Sequence, residues 1–295
     1  MVYLLTSIGL SAGIFLLFQL FARWNVDTFV AIVINYGVAA GLGWTLAGGM
    51  TVFESVMHEP WAQVALCMGL LFIYLFQLIA RSTQENGVTV TSIAAKLSMV
   101  LPVALFLLFD PNDSLNWQKG LAIALAIPAI ILASWKGGEK GKVTKWTIPL
   151  IIFFGSGLID LMFAGFSGPE HMRQVEHRYL FASLPLVTAF FSGASWWTLR
   201  AYQSNHWSLP AKQTWFGGIG LGVINFGSLY FLLETYDKTG VDRSAIMPVN
   251  NLGVILMSSA LSLWLLKETL IRKNYLGLIL GILAIALLLW DALAG

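Results

Sequence analysis

The chain has 295 residues, 57% of them hydrophobic and 11% charged, with a formal net charge of +2 at pH 7. Soluble domains carry about 25% charged residues, so this composition excludes a soluble fold. The mean hydropathy of +0.75 reads as an all-α integral membrane protein. The small net charge argues against nucleic acid or another polyanionic partner, and the single cysteine, Cys67, excludes an intramolecular disulfide.

Apolar runs separated by polar breaks predict ten transmembrane helices, over 2–22, 28–47, 61–80, 88–109, 117–135, 147–166, 179–199, 214–233, 244–266 and 274–293. The first run lacks a positively charged n-region and a small-residue cleavage site, so it reads as a retained span. The longest polar connections are GGMTVFESVMHEP, KGGEKGKVTK, SGPEHMRQVEHR and RAYQSNHWSLPAK, which leaves no room for an extramembrane domain. Any activity therefore sits within or between helices.

Taken in chain order, the first span carries Gln19, the second Asn35 and Tyr36, and the third Gln77, with Arg81 at its end. Polar groups in hydrocarbon must face protein or water, so these helices are expected to line whatever cavity exists. Lys96 lies in the fourth span, in the otherwise uncharged run TVTSIAAKLSMVLPVALFLLF. Counted from Gly87, it is roughly 12–14 Å deep in a hydrocarbon core of about 30 Å. An ammonium there costs at least ~2.5–3.5 kcal/mol, so it needs a partner, a wet cavity or both. Pro102, in the same span, has no N–H to give and frees the carbonyl of Ser98 beside that lysine.

The fifth span, GLAIALAIPAIILAS, and the tenth, NYLGLILGILAIALLLW, have no ionisable interior residue. They carry small residues four apart, Gly120 with Ala124 and Gly277 with Gly281, which let helix backbones approach. They read as scaffold, packed either within the chain or as the seam of a homodimer. Asp160, in the sixth span, is the sole carboxylate well inside a predicted span, about 20 Å along its helix from Trp146. Lys96 and Asp160 are either a charge pair bridging two parts of the molecule or are capped separately by neighbours such as Ser92 and Ser98.

The connection EHMRQVEHR holds His171 and His177 with Glu170 and Glu176, but no HxxxH or CxxC spacing makes it a metal site, and it reads as a solvated loop. Many tryptophans fall at span ends, as interfacial belts require, whereas Trp196, Trp197 and Trp264 lie deeper and are candidates for an aromatic wall. The eighth span brings Asn225 and ends at Glu234. The ninth brings Asn250 and Asn251 after Pro248, a loosened helix with two adjacent amides, suited to substrate or to interhelical bonding. Arg81 and Glu234 are candidate gates, although charges at span ends also serve simply as anchors.

The chain reads as duplicated. Gly69 with Gly222, Gly87–Val88 with Gly240–Val241, and Ile93 with Ile246 all pair at an offset of 153 residues. Five spans per repeat is odd, so the second repeat, 146–295, would enter the membrane inverted relative to the first, 1–145, with the substrate site between them. Loop lysines and arginines set the orientation. One side holds Arg23, Arg81, Lys136, Lys140, Lys142, Lys145, Arg200, Lys212, Lys267, Arg272 and Lys273; the other holds Lys119, Arg173, Arg178, Lys238 and Arg243. That excess places both termini outside the cytoplasm.

No nucleotide-binding loop, GxSxG, HExxH or paired-cysteine pattern is present, which argues against an enzyme or an ATP-driven pump and implies no cofactor. Ten short-looped spans in two halves, with TQENGVTVTSIAAKLSMVLPV, SGLIDLMF and SLWLLKETLIRKNYLGLILGILAI, resemble the drug/metabolite transporter superfamily, EamA-like branch. In the last segment the Lys267–Glu268 turn and the Tyr275-x-Gly277 opening of the tenth span carry the likeness. The resemblance implies a bacterial inner-membrane secondary transporter with a central cavity between inverted halves. The expectation is alternating-access transport of a small polar or zwitterionic, amino-acid-like metabolite, with proton coupling. Lys96 would bind a carboxylate or relay a proton, Asp160 would bind an amine or carry the coupling proton, and Asn250 and Asn251 would orient substrate, with Asn35, Tyr36, Gln77 and Asn225 around them. The rival readings are a flippase for a lipid-linked substrate, a photoreceptor with Lys96 as Schiff base, and a non-transporting receptor or scaffold.

Overall fold

The computed structural model describes residues 1–47, 54, 58–109, 115–135, 146–166, 175–204, 209–238 and 243–294, and every regular element among them is helical. The helices are α1 (Val2–Arg23), α2 (Thr28–Leu46), α3 (Pro60–Asn86), α4 (Val88–Leu97), α5 (Val100–Phe109), α6 (Trp117–Ala133), α7 (Thr147–Phe166), α8 (Val175–Ser204), α9 (Lys212–Lys238), α10 (Arg243–Leu265) and α11 (Arg272–Ala294). Eight runs among the described residues are long and apolar enough to cross a membrane, with α4 and α5 counted together as Val88–Phe109. Trp117–Ala133 and Thr147–Met162 are apolar but shorter. The chain is a multi-pass, all-α membrane protein by length and composition.

Local chemistry explains where the helices start and stop. The Asp27 carboxylate accepts from the Val30 N–H at 3.1 Å and caps α2, and the Asn116 side chain accepts from the Lys119 N–H at 2.9 Å and caps α6. Pro60 opens α3 at the position where its missing N–H does no harm. That helix runs to Asn86, past the predicted 61–80, because hydropathy marks where lipid ends and the polar turn RSTQEN stays helical beyond it. It stops at Gly87, whose φ of 103° is closed to other residues. The predicted fourth span is two helices. Pro102 cannot donate to the Ser98 carbonyl, which instead takes the Leu101 N–H at 2.9 Å, and the helix breaks at Ser98–Met99.

Helix packing is set by glycines that admit a neighbouring backbone. A Cβ on Gly69 of α3 would lie 2.4 Å from the Pro185 carbonyl oxygen and 2.6 Å from Thr188 on α8. A Cβ on Gly222 of α9 would lie 2.8 Å from the Asn35 carbonyl oxygen and 2.7 Å from Val38 on α2. α3 thus seats on α8 as α9 seats on α2. α6 and α11 form another close pair: a Cβ on Gly277 would lie 2.2 Å from the Ala133 amide, so this part of the small-residue stripe is occupied within the chain.

Large apolar side chains fill the space between helices, among them Phe18 and Phe21 on α1, Ile32 on α2, Ile93 and Leu97 on α4, and Ile152 and Phe153 on α7. Others, such as Leu70, Phe154, Phe191, Phe216 and Ile279, point outward and stay exposed, as a lipid-facing surface requires. Polar side chains gather inside: Ser7, Asn35, Asn250 and Asn251 are all buried. Lys136, Lys140, Lys142, Lys145, Arg173 and the Gly240–Val241 repeat marker lie outside the described residues, as do Glu170 and His171 of the histidine-bearing loop.

Candidate functional site

The helix break positions the two buried charges. Lys96 sits on the last turn of α4, where the helix dipole's negative end favours a cation. Asp160 enters from the middle of α7. The Ser98 hydroxyl lies 2.7 Å from Asp160 Oδ2 and 2.7 Å from the Ala95 carbonyl oxygen. Lys96 and Asp160 are near enough for their charges to act on each other, yet among the described residues no ion pair within 4.0 Å joins them. Of the two expected arrangements, direct pairing or separate capping by neighbours, the geometry is the second for Asp160, with Ser98 as the cap. Ser92 instead donates to the Thr89 carbonyl at 3.1 Å.

Both charges open onto one cavity of about 210 Å³. Pockets for drug-sized ligands run about 300–1,000 Å³, so this one fits a compact solute. Lys96, Asp160, Tyr36, Asn225, Asn250 and Asn251 all line it, contributed by α4, α7, α2, α9 and α10. Apolar side chains complete the lining: Phe72 and Phe76 from α3, Leu186 from α8, Leu229 and Leu232 from α9, and Met247 from α10.

Three further polar features came to light only from the fold. Ser11 and Ser228 line the cavity, and Ser7 lies behind it, with its hydroxyl 2.8 Å from the Ser228 carbonyl and 3.2 Å from Asn250 Oδ1. The available signal was helical spacing, since Ser7 and Ser11 are four apart and Asn225 and Ser228 three apart, and so share a face. Asn35 does not reach the cavity. It is fully buried one layer back, where its Oδ1 accepts from Asn225 Nδ2 at 3.1 Å and so aims that amide. Tyr36 donates to the Phe72 carbonyl at 2.9 Å, fixing its ring against Phe76. Asn251 donates to Met99 Sδ at 3.4 Å, directly on the helix break.

Gln77 does not line the cavity, and its Nε2 is buried without a partner, as is Gln19 Oε1. The deeper tryptophans do not form the aromatic wall expected of them. Trp196 packs on Phe29 at 5.5 Å, with the Arg200 guanidinium 4.6 Å above its ring, and Trp264 is 75% exposed. Sequence depth alone does not distinguish a lipid-facing ring from a cavity-facing one.

The two candidate gates sit at opposite ends of α1. Arg81 pairs with Glu85 at 2.7 Å, one turn from Gln84, which donates to the Phe18 carbonyl at 3.0 Å. Glu234 accepts from the Tyr179 hydroxyl at 2.7 Å and pairs with Lys238, whose ammonium lies 5.6 Å from the Tyr3 ring centre. At the Arg81 end the helices are stitched together. Lys267 adopts a left-handed φ of 54°, the Glu268 N–H turns back to the Ser262 carbonyl at 3.1 Å, and the chain reversal carries the Glu268 carboxylate to the start of α4. There Oε2 accepts from the Thr89 hydroxyl at 3.0 Å and the Thr89 N–H at 3.3 Å. Thr89 also meets Ser262 at 3.2 Å, and Arg23 donates to the Leu266 carbonyl at 2.9 Å. Glu268, read from sequence only as part of a terminal pattern, is the centre of this closure.

No family model matches the chain. An uncharacterized protein of Haemophilus influenzae is 24% identical over 292 residues, covering 96% of this chain and 95% of that protein. A solved crystal structure aligns with a TM-score of 0.60 at 16% identity, covering 99% of this chain and 96% of the other. That likeness extends over the whole helical arrangement and concerns the fold alone.

Proposed function

We propose that the chain is a secondary active transporter of a small polar or zwitterionic, amino-acid-like metabolite, working by alternating access with proton coupling. The observation that carries this reading is the shared cavity: one lysine and one carboxylate face it from different helices without forming an ion pair, and three amides surround them. A purely structural buried charge pair would be closed on itself, because an unpaired charge in low dielectric is costly. Lys96 is the site for a substrate carboxylate. Asp160 carries the coupling proton or meets an amine, and Asn225, Asn250 and Asn251 orient the solute against Phe72 and Phe76.

Ten spans in two inverted repeats are the architecture that fits best, and the packing supports it. At an offset of 153 residues, Gly69 corresponds to Gly222 and Asn35 to Thr188, and Gly69 packs against Thr188 as Gly222 packs against Asn35. Arg81–Glu85 corresponds in the same way to Glu234–Lys238, with the charges exchanged. The likeness of sequence to the drug/metabolite transporter superfamily agrees with this reading. The charge bias puts the Glu268 closure on the cytoplasmic side of a bacterial inner membrane and the termini on the other, unlike the cytoplasmic termini usual in that superfamily. Substrate is sought by ligand-dependent thermal shift and then followed in proteoliposomes. Lys96→Ala and Asp160→Asn should both abolish flux, and wild-type rates in both variants would remove the pair from the mechanism.

A further inference from the structure

Ser98 has one proton and two acceptors at the same distance. Its hydroxyl stands 2.7 Å from Asp160 Oδ2 and 2.7 Å from the carbonyl of Ala95, in the last turn of α4. The last carbonyls of a helix lack helical partners, so a hydroxyl turned onto one of them tightens the helix end. That turn bears Lys96, and the break at Ser98–Met99 follows it directly.

We infer that Ser98 is the positioning residue through which the charge on Asp160 reaches the α4–α5 joint. With Asp160 ionised, the Ser98 proton goes to Oδ2 in a charge-assisted bond and the Ala95 carbonyl is left without it. When Asp160 takes up one proton from cavity water, its new O–H donates to Ser98 Oγ. The Ser98 proton then turns onto the Ala95 carbonyl. No heavy-atom contact is broken, one proton is gained in all, and Lys96 keeps its own. The end of α4 is therefore tighter when Asp160 is neutral and looser when it is charged.

The surroundings leave Asp160 as the group that moves. From α4 the charged neighbour is Lys96. α3 contributes Phe72 and Phe76 to the shared cavity, and its ion pair Arg81–Glu85 lies at the far end of the helix. α5 has no titratable side chain, and Lys119 of α6 is paired with Asp291 at 3.5 Å. The Tyr36 hydroxyl, on the cavity's α2 side, is already committed to the Phe72 carbonyl. This assignment rests on the reading of Asp160 as the coupling carboxylate but needs no transported substrate for its test.

The test is amide hydrogen exchange over residues 94–103 in lipid nanodiscs across a pH series, corrected for the intrinsic pH dependence of exchange, with the carboxylic-acid infrared band of Asp160 recorded in parallel. In the wild-type chain, protection of this segment should rise as that band grows in. Asp160→Asn, whose amide also donates to Ser98, should hold the segment protected at every pH. Ser98→Ala and, as a second hydroxyl-free variant, Ser98→Gly should retain the infrared titration but lose the pH-dependent protection, and Ser98→Thr should restore it. The inference is overturned if the hydroxyl-free variants show the wild-type pH response, or if the wild-type segment shows none while the band titrates. Absence of flux in proteoliposomes alongside the expected exchange pattern counts against the transporter reading alone.

Discussion

Removing the Glu268 carboxylate should open the Arg81 end of the molecule. The side chain holds two donors on Thr89, the hydroxyl at 3.0 Å and the N–H at 3.3 Å, at the positive end of α4. Hydrogen bonds to charged groups are worth about 1.5–3 kcal/mol, and a carboxylate at a helix N-terminus about 0.3–1 kcal/mol. Glu268 is half-buried and the backbone bond is long, so the lower ends apply, and Glu268→Ala should cost the closed state about 2 kcal/mol. That is roughly a 30-fold gain in the population open at this end. The assay replaces the exposed Cys67 by Cys67→Ala and introduces Ala95→Cys in the cavity wall. The rate of labelling by a membrane-impermeant maleimide supplied from the Arg81 side should rise by up to that factor in Glu268→Ala, and by less in Glu268→Gln, which keeps an acceptor. A rate unchanged within about twofold, or an equal rise when label comes from the other side, would refute the role given to this carboxylate.

Gly87→Ala attacks the same closure from its other face, because a Cβ there would lie 2.0 Å from Glu268 Oε1 on a backbone with φ of 103°. It should raise labelling as Glu268→Ala does, and the double variant should fall well short of additivity, since one contact is lost in both. Gly69→Ala and Gly222→Ala should each lower the detergent melting temperature by an amount equivalent to about 1–3 kcal/mol of overpacking. Gly41→Ala, which meets nothing within 4 Å, should leave it unchanged, and equal melting of all three would sink the close-packing account. Asn35→Ala leaves the Asn225 amide without its acceptor and should weaken ligand binding by about tenfold, as a lost buried hydrogen bond predicts. Isothermal titration of Asn35→Ala, Asn225→Ala and the double variant checks this, the double being expected to match Asn225→Ala.

The helices were legible because lipid imposes a simple rule: twenty apolar residues in a row must satisfy their own backbones. The extents of α1, α2 and α7 follow from it almost residue for residue. Where a helix runs on into water, as α3 does through RSTQEN, hydropathy falls silent and the glycine stop is what matters. The cavity was partly legible for the same reason, since Lys96, Asp160, Asn225, Asn250 and Asn251 are costly in hydrocarbon and had to be gathered. Serines escaped notice, because a hydroxyl satisfied by its own helix backbone is cheap in lipid and carries no warning. Ser11 and Ser228 thus line the cavity unannounced, and the phenylalanines beside them are indistinguishable in sequence from lipid-facing ones. Asn35 shows the opposite error: a buried amide need not touch a ligand, because it can aim another amide that does.

The chemistry of the two ends is less symmetric than their packing. At the 153-residue offset, Asp160 corresponds to Ser7 and Lys96 to Val249, so each charge has a neutral counterpart. A polar link nonetheless joins the corresponding helix pairs, Asp160 to Ser98 between α7 and α4 and Ser7 to Asn250 between α1 and α10, although the residue at the Ser98 position of α10 is Asn251. The counterpart of Glu268 is Leu115, which is 70% exposed and has no carboxylate to offer a helix start. On the proposed reading of two inverted repeats, equivalent halves would by themselves place inward- and outward-closed forms near equal energy. Among the described residues no second carboxylate latch of this kind is found, and on that reading the Glu268 contacts favour the form sealed at their end by about the free energy of one charge-assisted latch. If the chain is the transporter proposed above, a solute that engages both Lys96 and Asp160 has to supply comparable differential binding to reverse the bias. This ties the strength of the latch to the affinity of the site.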